Sequence, residues 1–222
     1  MNTMFSLPDD PAISHLASCD PDWVPLITRV GPCGLKPRLE REPYEALVRA
    51  IAYQQLHGRA AEAILTRFLA LYSTATFPTP AEVLATEESV LRSCGFSASK
   101  IASIRGIAQG TLDGLVPALA MATTLPDDEL IARLVTLRGV GRWTVEMFLM
   151  FALGRPDVLP TDDFGVREGW RILKKLPEQP KPKVLAEIGR AWSPYRSTAA
   201  WYLWRAAEEG KMAAATYKNP VA

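Results

Sequence analysis

Cysteine is scarce in this chain, long apolar runs are missing, and neither sign of charge prevails. The three cysteines among 222 residues, Cys19, Cys33 and Cys94, are an odd number at wide spacing, which makes no disulfide framework and fits neither a zinc nor an iron–sulfur site. A reducing, cytosolic compartment is the expectation. The most apolar window, MFLMFAL, is far too short to span a bilayer, and the opening MNTMFSLPDDPAIS lacks the basic stretch and apolar run of a signal peptide. A soluble protein with no membrane partner is expected. The 25 basic residues nearly cancel the 24 acidic ones, so contact with a polyanion has to come from a local patch. Also missing is any segment in which polar and apolar residues alternate long enough for a convincing strand, and there is no internal repeat.

What is present is helical periodicity. From Tyr44 to Tyr72 apolar residues recur at Leu47, Val48 and Ile51, then at Ala60, Ile64, Phe68 and Leu71, which reads as two helices broken near His57-Gly58. Pro80 opens one short helix capped by Gly95, Ser99 precedes another, and Asp127-Asp128 start a third. Further helices are expected from Arg142 to about Leu153 and in FGVREGWRILKKL, PKVLAEIGRAW and YRSTAAWYLWRAAEEG, with most of the 18 prolines at element boundaries. The expected fold class is all-α. The length suffices for a substantial core, as one domain or as two small lobes sharing a cleft. Residues 1 to about 20 and the tail after Gly210 read as poorly anchored, and KKLPEQPKPK as a polar connection.

Three clusters carry candidate chemistry, each with a plainer alternative. In LRGVGR, Leu137 to Arg142, the glycines permit a tight turn and leave amides uncovered, so an anion such as a phosphate can approach the following helix start; the alternative is a simple glycine-capped turn. In PTDDFGVRE a carboxylate is placed to stabilise developing positive charge or activate water, unless Thr161 or Asp162 merely caps a helix. Gln54-Gln55-Leu56-His57 falls at a helix break, where amides beside an exposed apolar side chain could fill the gap left by an extruded nucleotide; otherwise Leu56 is buried and His57 solvated. Tryptophans and tyrosines crowd the last third (Trp143, Trp170, Trp192, Tyr195, Trp201, Tyr202, Trp204), mostly as core, although aromatic faces also suit a flat cationic base.

The order of these signals along one helical chain resembles the helix-hairpin-helix DNA glycosylase superfamily. Val48-Arg49-Ala50-Ile51 with Gln54-Gln55-Leu56-His57, Leu137 to Thr144, Pro160-Thr161-Asp162-Asp163 and Trp192 to Ser197 look like its alkylpurine branch, the short 3-methyladenine glycosylases of the AlkA and Mag type. The resemblance runs from about Trp23 to Gly210. It implies two helical lobes, about 38–130 and about 1–37 with 131–222, with double-stranded DNA containing alkylated bases bound in the cleft between them. It assigns catalysis to Asp163, with Asp162 as the capping or supporting partner, and the phosphate grip to Gly139, Gly141, Arg142, Trp143 and Thr144. Leu56 matches the wedge, with Gln55 and His57 beside it in the minor groove. Trp143, Trp204, Tyr53 and Met147 match or adjoin the base pocket. A structural Na+ or K+ on the carbonyls of Val135, Leu137 and Val140 is implied, with no cofactor needed for chemistry and no iron–sulfur cluster.

Trp143 stands where bifunctional relatives carry a Schiff-base lysine, so no strand cleavage by β-elimination is expected. The N-terminal β-rich domain of longer bacterial relatives is expected to be missing. The implied activity is hydrolytic release of purines alkylated at N3 or N7, leaving an abasic site, by a monomer in the nucleoid or nucleus. Two alternatives stand beside it: a damage-recognition module that cuts no bond, and a glycosylase for neutral deaminated or etheno-bridged bases.

Overall fold

Prolines and short polar side chains set where the helices begin. The computed structural model describes residues 9–56, 58–72 and 77–218, with side chains to Lys211. In chain order the helices are α1 (Pro11–Cys19), α2 (Trp23–Val30), α3 (Pro43–Tyr53), α4 (Gly58–Leu69), α5 (Pro80–Ala85), α6 (Glu88–Ser93), α7 (Ala98–Leu112), α8 (Leu119–Ala122), α9 (Asp127–Leu134), α10 (Arg142–Phe151), α11 (Phe164–Leu173), α12 (Pro182–Ile188) and α13 (Arg196–Lys218). A 3-10 turn, Gly189–Trp192, follows α12. Among the described residues all regular structure is helical, as the periodicity predicts.

Several boundaries differ from expectation for local reasons. The single helix expected after Pro80 is two, because Thr86 and Glu87 are extended and the Thr86 carbonyl accepts a hydrogen bond from Arg105 at 3.0 Å instead of continuing the helix. The cap of α7 is Ser97, whose hydroxyl accepts from the Lys100 amide, and not Ser99. Residues 1–8 lie outside the described residues, but Pro11–Cys19 is a helix with Ile13 and Leu16 fully buried, so this stretch is anchored and not loose as expected. The backbone of α13 continues well past Gly210.

The chain forms two compact units, residues 37–154 and residues 1–36 with 155–222. The second crossover, expected near residue 130, falls at 154/155, because α9 and the turn after it bring α10 back onto α3. In the 37–154 unit, α3 buries Leu47, Val48, Ile51 and Ala52 where it packs with α7, which buries Ile101, Ile104 and Ile107. Each such aliphatic side chain contributes roughly 1.5–3 kcal/mol on burial.

The other unit is organised around three tryptophans. Trp23 and Trp192 meet edge to face with ring centroids 5.4 Å apart, and Trp170 lies 5.0 Å from Trp192. The most extensive packing in the molecule joins α11 to α13. It depends on Gly165 and Gly169, one turn apart: a Cβ at Gly169 would overlap the Leu203 backbone, and one at Gly165 would press on Trp204 Cδ1 at 2.8 Å.

Candidate functional site

The turn between α9 and α10 has one glycine that the backbone demands. Gly139 has φ +76°, in the left-handed region, and any Cβ there would strike the Ser103 hydroxyl of α7. Gly141 is extended, with nothing near a Cβ. Its contribution is a bare backbone that a phosphate can approach. The first main-chain bond of α10 runs from the Val145 amide to the Gly141 carbonyl at 3.2 Å, so the amides of the opening turn precede the helical ladder and aim out of its N-terminus.

Arg142 is well exposed and donates to Glu146 at 2.9 Å, a carboxylate only 5% exposed. Thr144 is 2% exposed, and its hydroxyl accepts a hydrogen bond from Gln54 at 3.0 Å, so the group it offers at the helix start is its backbone amide, as the hairpin reading expects.

The end of α3 is held from below. Lys100 of α7 donates to the carbonyls of Ala52 at 2.7 Å and Gln54 at 2.8 Å, taking up acceptors that α3 leaves open, and burial lowers its pKa. The Gln54 side chain also donates to the Gly139 carbonyl at 3.2 Å. Gln55 then adopts φ +56°, and the chain carries Leu56 out at 39% exposure. The buried-Leu56 alternative is thereby removed. His57 lies outside the described residues.

Of the expected base-pocket residues, Trp143 and Met147 are half-buried one turn apart on α10, and Tyr53 is exposed with its hydroxyl donating to Glu62 at 2.6 Å. That bond, with burial and the Glu62 charge, raises the Tyr53 pKa. These three belong to the 37–154 unit. Trp204 belongs to the other, where it meets Asp163.

Asp163 is the N-cap of α11: its Oδ1 accepts from the Val166 amide at 2.9 Å and from Trp204 Nε1 at 2.9 Å. The capping role expected for Asp162 or Thr161 therefore falls to Asp163, and Asp162 is exposed. Cap and candidate catalyst, weighed as alternatives in the sequence, are one residue. A carboxylate held by two N–H donors at a helix N-terminus has a fixed direction and a favourable dipole behind its negative charge.

The segment leading to Asp163 is clamped by the Trp192–Ser197 motif. Arg196 grips Asp157 through both oxygens, at 2.7 and 2.9 Å, and Ser193 donates to the same carboxylate at 2.7 Å. Burial works against ionisation of Asp157, but these donors win and lower its pKa. Ser197, buried, donates to the Arg155 carbonyl at 2.7 Å and accepts from the Val158 amide at 3.0 Å. Sequence reasoning missed Lys100, Ser103 and the Gly165/Gly169 pair, and it offered the Gln54 amide to the nucleotide gap, whereas the amide braces the hairpin. Only the pair left a signal, in its four-residue spacing.

Among the described residues, an all-helical arrangement with a helix-hairpin-helix turn and, one helix later, a carboxylate fixed at a helix start defines a class: the helix-hairpin-helix proteins with an acid downstream of the hairpin. The chain belongs to the HhH-GPD superfamily of base excision DNA repair proteins, whose family profile matches residues 48–194. It is 43% identical to DNA-3-methyladenine glycosylase 1 of Schizosaccharomyces pombe over 93% of this chain and 89% of that protein. It is 36% identical to the alkylbase DNA glycosidase-like protein mag2 of the same organism, over 87% and 92%. Among solved structures, S. pombe 3-methyladenine DNA glycosylase in complex with abasic DNA superimposes with a TM-score of 0.84, covering 88% of this chain and 96% of that one. A DNA-3-methyladenine glycosidase from Bacillus halodurans is 32% identical with a TM-score of 0.80, covering 92% of each.

Proposed function

We propose that the protein is a monofunctional DNA-3-methyladenine glycosylase of base excision repair, which hydrolyses the N-glycosidic bond of N3- or N7-alkylated purines in duplex DNA. The observation that carries the reading is Asp163, a carboxylate oriented by its own helix and by Trp204, in a chain 43% identical to a protein named for this activity.

The chemistry follows from the lesion. Alkylation makes the purine cationic, so when the C1′–N bond breaks the base leaves with the electron pair as a neutral molecule and needs no general acid. The sugar left behind has oxocarbenium character. The Asp163 carboxylate stabilises that charge; water adds to C1′ and its proton passes to Asp163 or solvent, giving an abasic site. Trp143 offers no amine, so the sugar is not captured as a Schiff base.

Leu56 enters the stack as the nucleotide turns out, at an unstacking cost of a few kcal/mol that is least at damaged pairs. The amides of the α10 start and Arg142 hold the backbone. Trp143, Trp204, Tyr53 and Met147 supply surfaces for the flat base. The carbonyls of Val135, Leu137 and Val140 suit a hard monovalent cation, since among the described residues Leu137 accepts the Val140 amide at 3.1 Å, and a carbonyl oxygen has a second lone pair. Bound Na+ or K+ would add positive charge near the phosphate. The protein acts as a monomer wherever genomic DNA lies, in nucleoid or nucleus.

The test is chromatographic separation of bases released from methylated duplex DNA by wild type and Asp163→Asn, with binding to an abasic-site duplex measured in parallel. Asparagine caps a helix as well as aspartate and keeps the acceptor for Val166 and Trp204, so the substitution isolates the charge. Release of methylated purines by wild type, a loss of about 10²–10³-fold or more in the variant, and binding by both are expected. Full activity in Asp163→Asn would remove the carboxylate from the mechanism. Binding without release by either protein would point to damage recognition alone or to neutral lesions.

A further inference from the structure

We infer that Gln54 couples the DNA wedge to the phosphate hairpin, so that insertion of Leu56 and the grip of the Gly139–Arg142 turn act as one element. The inference rests on the glycosylase reading above. Gln54 stands at the last position before the chain turns out to Leu56, and its backbone carbonyl and its side-chain N–H donors are engaged. Its carbonyl accepts from Lys100 at 2.8 Å. Its side-chain amide has two N–H donors; one bond goes to the Gly139 carbonyl at 3.2 Å and the other to the Thr144 hydroxyl at 3.0 Å. The first of these acceptors is in the hairpin and the second in the opening turn of α10.

Both ends of this strut rest on α7. Lys100 and Ser103, three residues apart, share one helix face. Lys100 carries the wedge end through Ala52 and Gln54; Ser103 lies where a Cβ of Gly139 would otherwise stand, so the hairpin sits directly on it. Raising or lowering Leu56 relative to the hairpin therefore breaks hydrogen bonds of a half-buried amide. Donors aimed at a phosphate are useful only when their position relative to the extruded nucleotide is fixed, and a wedge at the wrong height leaves that nucleotide stacked. Gln54 is a positioning residue, acting through Leu56 and the hairpin.

The test is a double-mutant cycle on binding to an abasic-site duplex at one salt concentration. The dissociation constant is measured for wild type, Leu56→Ala, Arg142→Gln and the double variant, and again for all four with Gln54→Met, which keeps the side-chain length without the donors. Arg142→Gln removes the charge and retains a donor for Glu146. In the native background the combined loss should differ from the product of the single losses by about fivefold or more; with Gln54→Met it should fall within about twofold of that product. The single-turnover rate of base release should drop in Gln54→Met by a larger factor than binding does.

Independent losses in the native background, or coupling that survives Gln54→Met, would overturn the inference, as would a lowered melting temperature with the cycle unchanged. If Gln54→Met fails to fold, Thr144→Val removes one of the two acceptors at nearly constant shape and answers the same question. A wild type that neither binds nor releases methylated purines brings down the glycosylase reading and the coupling with it, and that outcome is visible before any variant is made.

Discussion

Leu56 and Thr144 show how much a single side chain's direction decides. Both adjoin Gln54, Leu56 two residues along the chain and Thr144 through a hydrogen bond, yet Thr144 is buried and Leu56 is turned out. An apolar side chain left largely in water has little to lose on truncation, so Leu56→Ala should change stability by no more than about 0.5 kcal/mol. Its affinity for damaged duplex should nevertheless fall about tenfold, because the gap in the stack goes unfilled. A lowered melting temperature with normal affinity would return Leu56 to the core. Asp163 was legible in the sequence as a paired acid after the hairpin. Its capping role was not, and the sequence points to Thr161 or Asp162 as the cap, because spacing alone does not say which of three adjacent polar residues takes the extended backbone of an N-cap. The bracing role of Gln54 was beyond reach: its partners lie 85 and 90 residues away, and no spacing rule connects them.

At the scale of elements, most helices declared themselves through apolar spacing, and the exceptions have identifiable causes. The break after Ala85 depends on Arg105, which is distant in sequence. Helices α1 and α2 are short and begin among prolines and aspartates, which mask their apolar faces until Trp23 and Leu16 are seen to be fully buried. The α11–α13 crossing is the element on which the site most depends, because it brings Trp204 to Asp163. Gly169→Ala places a methyl group against the Leu203 backbone, which cannot swing aside as a side chain can. A cost of about 3 kcal/mol is expected. In a protein of this size that is a fall of roughly 6–12 °C in melting temperature, readable by far-UV circular dichroism. An unchanged melting curve would mean that the two helices separate freely.

Across the whole molecule, Glu82, its pKa lowered by hydrogen bonds from Thr79, lies in the 37–154 unit, while most of the carboxyls through which stability depends on pH lie in the unit that holds Asp163. Asp20, Asp157 and Glu168 all lie there with pKa values below the ordinary carboxylate range. At Asp20 burial opposes ionisation, but bonds from Lys174 and the Asp22 amide prevail; at Glu168 the Arg171 hydrogen bonds lead. A carboxyl whose pKa is depressed on folding contributes stability that is present above its unfolded value, near 4, and is lost as the pH falls through the folded value. The melting temperature should therefore fall between pH 5 and about pH 2, and fall less in Asp157→Asn, whose amide has no charge to lose. An equal fall in both proteins would show that Asp157 is not among the groups responsible.

The 37–154 unit interrupts the other one in sequence, yet its two ends meet. The Arg38 amide donates to the Phe151 carbonyl at 2.8 Å, and Pro37 and Leu39 flank Gly154. The entropy of closing a flexible loop grows with the logarithm of its length, so bringing residues 1–36 and 155–222 together across an unfolded middle would carry the penalty of that whole span. Once the middle has folded, the span shrinks to the short gap between adjacent ends. The tryptophan cluster and the α11–α13 crossing can then assemble almost as if the interrupting residues were a tight turn.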